Sequence, residues 1–173
     1  MGFEVIDNLG NKTVTKETIY IRQVGANMKK EIAEIWVAAL RSGKYKQSRK
    51  KLRTEKTHLC VDNTEATPGF CCLGVLCDIS GLGTWVPRTL DDQSTEPDEY
   101  GYQMQRDQGR RAETTVLPTE VRDWAGMDSE QGSLVYTAPR INGAPPPSLA
   151  SQNDDGATFE ELAAFIEANV EYL

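Results

Sequence analysis

The run Pro68-Gly-Phe-Cys-Cys-Leu-Gly-Val-Leu-Cys-Asp-Ile-Ser-Gly81 constrains the fold of this chain more than any other stretch. It holds three of the four cysteines and is the densest apolar segment in the sequence. Proline suits a first helical turn and glycine a position just past a last one, so the two mark a start and a stop. Between them Phe70, Cys71, Leu73, Val75, Leu76, Cys77 and Ile79 leave almost no polar side. A helix that is apolar nearly all round has to be buried. The expectation is a short central helix over residues 69–80. A buried strand is the alternative, because a short apolar run has no period that separates the two.

The rest of the chain must then cover that segment. Its 173 residues suffice for one domain with a real core, read here as 1–173 with an N-terminal hairpin over 1–24 and a main body over 25–173. Residues 3–6 and 13–22 are rich in β-branched residues around a Gly10-Asn11 turn, which fits a β-hairpin. Met28, Ile32, Ile35, Trp36, Ala39 and Leu40 recur at helical spacing, with Asn27 as a cap and Gly43 as a stop. That predicts a helix over 27–42 with Trp36 in the core.

Residues 44–56 show little apolar periodicity beyond Tyr45 and Leu52 and read as a loop or a frayed extension of the helix before them. Thr57 to Val61 alternate like a strand, residues 82–87 read as turns, and 89–99 as an exposed acidic loop. Residues 100–104 and 113–117 fit a pair of strands. Pro118 opens a short helix whose inner face is Val121, Trp124 and Ala125, closed by Gly126. Residues 132–137 fit a strand, and Pro145 to Pro147 a stiff connector. Asp154-Asp155-Gly156 is turn chemistry, and Thr158 with Glu161 forms a capping box before a buried stripe of Phe159, Leu162, Ala163, Ile166 and Val170. The sum is an α+β fold: about four helices around the buried central helix, with small antiparallel hairpins.

Charge excludes some functions. The net charge of −7 argues against binding long nucleic acid. No apolar run is long enough for a membrane span, and the N-terminus lacks the basic flank and apolar core of a leader, so a cytoplasmic protein is expected. Yet eight bases and a single acid, Glu55, lie between Arg41 and Lys56, while the chain from Asn142 onward has six acids and no base. A solvated basic loop paired to the protein's own acidic surface is the plain reading. The functional reading is a site for a compact anion: Lys44, Lys46, Arg49 and Arg53 neutralise charge, and Tyr45 and Trp36 offer rings.

Two other chemistries are weighed. Cys71 or Cys72 at a helix start could act as a nucleophile with His58, the one histidine, as base. The segment has a slight likeness to the Asp-Cys-Ser-Gly-Leu opening of papain-like cell-wall peptidases. Those enzymes place the histidine after the cysteine, and here it precedes. His58, Cys60, Cys71, Cys72 and Cys77 could also supply zinc ligands, though without a Cys-x-x-Cys spacing. Buried thiols acting as small apolar groups are the simpler reading, so neither a metal nor a cofactor is expected.

Four segments together carry a resemblance: Trp36 to Gln47, Phe70 to Asp78 with its Cys-Cys-Leu-Gly-Val-Leu-Cys core, Leu117 to Trp124 with Gly126, and Asn153 to Ala164. Over roughly 30–170 the chain resembles a family of small proteins encoded by tailed phages and prophages. The resemblance implies no activity, cofactor or catalytic residue. It implies a phage accessory protein working in a bacterial cytoplasm. The expectation that follows is a counter-defence binding protein. It would sequester a nucleotide-like signal, in a homo-oligomer, or block a bacterial host protein, with its acidic loop and C-terminal helix on a basic surface and in part mimicking nucleic acid. A cysteine hydrolase and a zinc-stabilised structural protein are the alternatives.

Overall fold

The computed structural model describes residues 28–55, 68–88, 99–106, 111–135 and 146–173, together with the backbone of two short strands near the N-terminus. Those two, β1 (Val5–Ile6) and β2 (Lys12–Thr13), pair antiparallel, which agrees with the first half of the expected hairpin. Its remainder, Asn27, and the strand expected at residues 57–61 lie outside the described residues.

The described residues of the main body are α+β, with five helices and a five-stranded mixed sheet. In chain order it contains α1 (Lys30–Arg41), β3 (Lys46–Gln47), β4 (Arg53–Thr54), β5 (Gly69–Phe70), α2 (Cys72–Ser80), β6 (Gly83–Arg88), β7 (Glu99–Met104), α3 (Thr119–Ala125), α4 (Leu149–Asp155), α5 (Phe159–Asn169) and a closing 3-10 turn at Val170–Tyr172. Strand order across the sheet is β3-β5-β4-β7-β6, with β3 parallel to β5 and the other neighbours antiparallel.

The central segment uses both of its readings. Gly69–Phe70 is strand, Cys71 is the N-cap, and the helix runs only from Cys72 to Ser80. Cys71 Sγ accepts a hydrogen bond from the Gly74 amide at 3.4 Å, and Gly81 ends the helix in the left-handed region at φ 62°. Six of the nine helix residues, Cys72 to Cys77, are buried. α2 contacts α1, α3 and α4, whereas α5 packs on α1 and α4.

Two polar contacts fix α2 from outside. The indole of the fully buried Trp36 donates to the Cys72 carbonyl at 3.0 Å. Asn153, also fully buried, accepts from the Cys72 amide at 3.2 Å and from Gln47 Nε2 at 3.0 Å, and donates to the Ser48 carbonyl at 2.9 Å. One side chain thus ties α4 to α2 and β3. Buried polar groups of this kind persist because each has its partners.

Several expectations are corrected. α1 starts at Lys30 after Lys29, which makes no side-chain cap. The basic stretch is not a loop: it supplies β3 and β4, strands of two residues that no periodicity can reveal. Residues 83–88 form a six-residue strand rather than turns, and Pro87 is tolerated because β6 is an edge strand. Strand β7 pairs with β6 and β4, and only the single bridge Tyr102↔Glu113 links it to the 113–117 segment.

Residues 132–135 have no regular structure, although Val135 donates to the Tyr172 carbonyl at 2.8 Å. Asp154–Asp155 ends helix α4 instead of making a free turn, with Gly156 as its left-handed cap at φ 109°. Helix α4 escapes a periodicity search because Ser148 caps seven mostly polar residues. On α3, Val121 and Ala125 are buried and Trp124 is half-buried. The capping box of Thr158 and Glu161 is present as expected.

Candidate aromatic and basic binding site

Register decides what shares a face of the sheet. Directly opposed residues point the same way, so Gln47, Phe70, Arg53, Tyr100 and Pro87 form one row across the five strands. Two residues further along β7, Tyr102 stands opposite Trp85 on the same face. At Gln47 and Tyr102 this face meets the helices, whereas Arg53, Trp85 and Tyr100 are partly exposed. Gln47 Nε2 donates to Asn153 and, at 2.7 Å, to the Ala157 carbonyl, while the Tyr102 hydroxyl lies 3.2 Å from Ser80 Oγ and accepts from the Gly83 amide at 2.8 Å.

The aromatic residues form a chain of edge-to-face contacts. Centroid separations are 5.2 Å for Tyr45 and Phe70, 5.7 Å for Phe70 and Trp85, and 4.8 Å for Trp85 and Tyr102. Such geometry is the favoured one for rings that carry a quadrupole. The Arg53 guanidinium lies 4.2 Å from the Tyr100 centroid, 5.4 Å from Phe70 and 5.6 Å from Trp85. It is held by ring faces, and its buried Nε has no hydrogen-bond partner. A hydrogen bond to Glu55, and then burial, push the Tyr100 hydroxyl pKa up.

Asp78 closes the other end. Its Oδ1 accepts from Trp85 Nε1 at 2.9 Å and its Oδ2 accepts from the Tyr45 hydroxyl at 2.7 Å. Lys44 Nζ donates to the Tyr45 hydroxyl at 3.1 Å, lies 4.7 Å from the Tyr45 centroid, and approaches Asp78 Oδ2 to 3.8 Å. Burial, with the hydrogen bond to Asp78, raises the Tyr45 pKa, and the bond to Tyr45 raises that of Lys44. Both groups stay protonated at neutral pH. The Lys44 side chain is 70% exposed and that of Asp78 29%, so the network reaches solvent.

Of the six residues picked from sequence, three converge here: Lys44, Tyr45 and Arg53 around Phe70. The other three do not join them. Trp36 is in the core under α2. Lys46 stands opposite Gly69, in the row of the other sheet face. Arg49 is exposed and lies against Gly156 at the end of α4. Part of the basic stretch is neutralised within the chain: Lys51 pairs with buried Glu99 at 2.6 Å, which Arg88 also approaches at 3.8 Å, and Arg41 pairs with Glu160 and Glu167. Sequence reasoning missed Asp78, Trp85 and Tyr100. Asp78 left a signal, being the single charge inside the apolar run. Trp85 was hidden by the glycine and proline of its strand.

The acids of the C-terminal helix are also engaged internally. Glu160 and Glu167 both bind the Arg41 guanidinium, and Glu161 completes the capping box.

The thiols offer little to a nucleophilic mechanism. Cys71, Cys72 and Cys77 are free and buried. Burial pushes the Cys71 thiol up to about 12 and raises Cys72 and Cys77 well above the ordinary value, opposite to what an attacking thiolate needs. Cys72 Sγ is spent on the Leu149 carbonyl at 3.6 Å. Among the described residues no three His, Cys, Asp or Glu side chains could hold a metal ion, and His58 and Cys60 lie outside them. No helix among the described residues is long and apolar enough to cross a membrane.

A family model described as Domain of unknown function (DUF8296) matches residues 28–170. No curated protein and no solved structure matches the chain.

Proposed function

The chain belongs to that family of unknown function, and we propose that it is a non-catalytic capture protein for a nucleotide-like anion. Its recognition surface is the face formed by Lys44, Tyr45, Arg53, Trp85 and Tyr100. The observation that carries this reading is Arg53, a partly exposed guanidinium laid against three aromatic rings. A cation held by ring faces attracts a phosphate by its charge, and the partly exposed Trp85 and Tyr100 rings beside it take a base by stacking. Lys44 adds a second, mobile charge at the rim.

Capture of a small anion is favoured over mimicry of nucleic acid toward a host protein, since Glu160, Glu161 and Glu167 are bound by groups of the same chain. In the setting that the phage resemblance implies, such capture would withdraw a nucleotide signal from a bacterial defence system.

The test is isothermal titration of the purified protein with nucleoside mono- and diphosphates at two salt concentrations. Binding that weakens with salt, and by tenfold or more in a Lys44→Ala/Arg53→Ala variant of unchanged circular dichroism, is the expected result. Unchanged binding in that variant would remove the site.

A further inference from the structure

We infer that Asp78 reads the base of the captured ligand, and that this base presents two adjacent N–H donors, as guanine does. The inference rests on the capture reading above and adds the identity of the base. Asp78 occupies a costly place. It sits in the last turn of α2, where unpaired carbonyls carry partial negative charge and no basic residue of the helix offsets it. Helix stability does not account for a carboxylate there.

The network around Asp78 leaves it able to accept more. A carboxylate has about four lone-pair directions, two on each oxygen. Protein donors take one on each: Trp85 Nε1 on Oδ1 and the Tyr45 hydroxyl on Oδ2. Lys44 Nζ, at 3.8 Å, is beyond hydrogen-bonding range. Among the described residues no other group donates to it, so one lone pair per oxygen remains, on a side chain that is 29% exposed. The two oxygens are held in a fixed plane by donors from different elements, β6 and the segment after α1.

A rigid carboxylate with one free lone pair on each oxygen matches two parallel N–H groups. Guanine offers that pair at N1 and N2. Adenine sets a ring nitrogen lone pair beside its amino group, so one contact would be acceptor against acceptor. Pairing with Asp78 also lays the base beside the half-exposed Trp85 indole, whose edge already touches the carboxylate.

The test compares GMP with AMP by calorimetry on the wild type and on Asp78→Asn. The Asn variant keeps the scaffold, because its carbonyl accepts from Trp85 and its amide donates to the Tyr45 hydroxyl, which can reverse its role. Circular dichroism and tryptophan emission check that. The wild type is expected to hold GMP at least about tenfold more tightly than AMP. Asp78→Asn presents one acceptor and one donor, the complement of adenine, and is expected to lose or invert that preference. Equal binding of GMP and AMP by the wild type would overturn the role of Asp78 and leave anion capture standing. A GMP preference that survives in Asp78→Asn would do the same. Binding of neither nucleotide would overturn both readings together.

Discussion

Replacing Gly74 by Ala puts a methyl group where a carbonyl oxygen already lies. A Cβ built at Gly74 would stand 1.8 Å from the Leu52 oxygen and 2.7 Å from its carbonyl carbon. Both obstacles are backbone, so no rotamer change relieves them. Ordinary contact needs about 3.4 Å or more, so α2 and the chain at Leu52 would have to separate by roughly 1.5 Å. That shift pulls on the Cys71 amide bond to the Leu52 carbonyl at 3.2 Å, the Leu52 amide bond to Thr114 at 2.7 Å and the Trp36 anchor on Cys72.

Two effects oppose each other in this substitution. Alanine favours a helix over glycine by about 1 kcal/mol. Overpacking a filled core costs about 1–3 kcal/mol, and one strained hydrogen bond adds about 1 kcal/mol. With the clash near the upper end, the net is a loss of about 2–3 kcal/mol. For a domain of this size each kcal/mol moves Tm by roughly 2–4 °C, which gives a fall of about 5–10 °C. Differential scanning calorimetry or urea unfolding reads this directly. A Gly74→Ala variant as stable as the wild type, or more stable, would refute the close approach of α2 to Leu52 on which the described core depends.

The other expectations concern the polar anchors, the thiols and acid. Asn153→Ala leaves the Cys72 amide and the Ser48 carbonyl without a buried partner, removes one of the two acceptors of Gln47 Nε2, and should cost about 3 kcal/mol in urea unfolding; a loss below about 1 kcal/mol would show that the anchor is idle. In a Cys60→Ser background, iodoacetamide should leave Cys71, Cys72 and Cys77 unmodified in the native protein and alkylate all three after denaturation, and a fast native reaction would revive the hydrolase alternative. Glu161 and Glu167 have lowered pKa values, from the Thr158 backbone amide and from Arg41. Their folded pKa lies below the unfolded value of about 4.3, so their stabilisation is present above that pH and is lost as pH falls through the folded value. The urea midpoint should drop between pH 5 and 3, and less steeply in Glu161→Gln/Glu167→Gln; parallel curves would rule out this source.

What was legible in the sequence follows physical range. Helices α1, α3 and α5 show themselves through a 3.6-residue stripe or a local cap, because their determinants lie within a turn or two. The sheet is different. Its strands β3, β4 and β5 are two residues long and exist because distant segments pair, so Lys46, Arg53 and Gly69 carry no local mark of it. Trp85 and Pro87 are hidden for the same reason, since an edge strand admits a proline that local rules read as a turn. The candidate site was half visible. A basic stretch with a tyrosine pointed to Lys44, Tyr45 and Arg53, but charge along the chain cannot show which cations find partners in space. Lys51 found Glu99, and Trp36 found the Cys72 carbonyl. Asp78 drew no notice because a lone carboxylate in an apolar run acquires meaning only when Trp85 and Tyr45 arrive from elsewhere.

Native mass spectrometry tests the capture reading most directly. The wild type and the Lys44→Ala/Arg53→Ala variant would each be incubated with a bacterial nucleotide extract, desalted and sprayed under non-denaturing conditions. The expected spectrum shows an added mass of nucleotide size on the wild type, reduced by tenfold or more on the variant, with the subunit count read from the same peaks. A folded wild-type chain that stays bare, or a variant that carries the same added mass, would contradict capture at the face formed by Arg53, Trp85 and Tyr100.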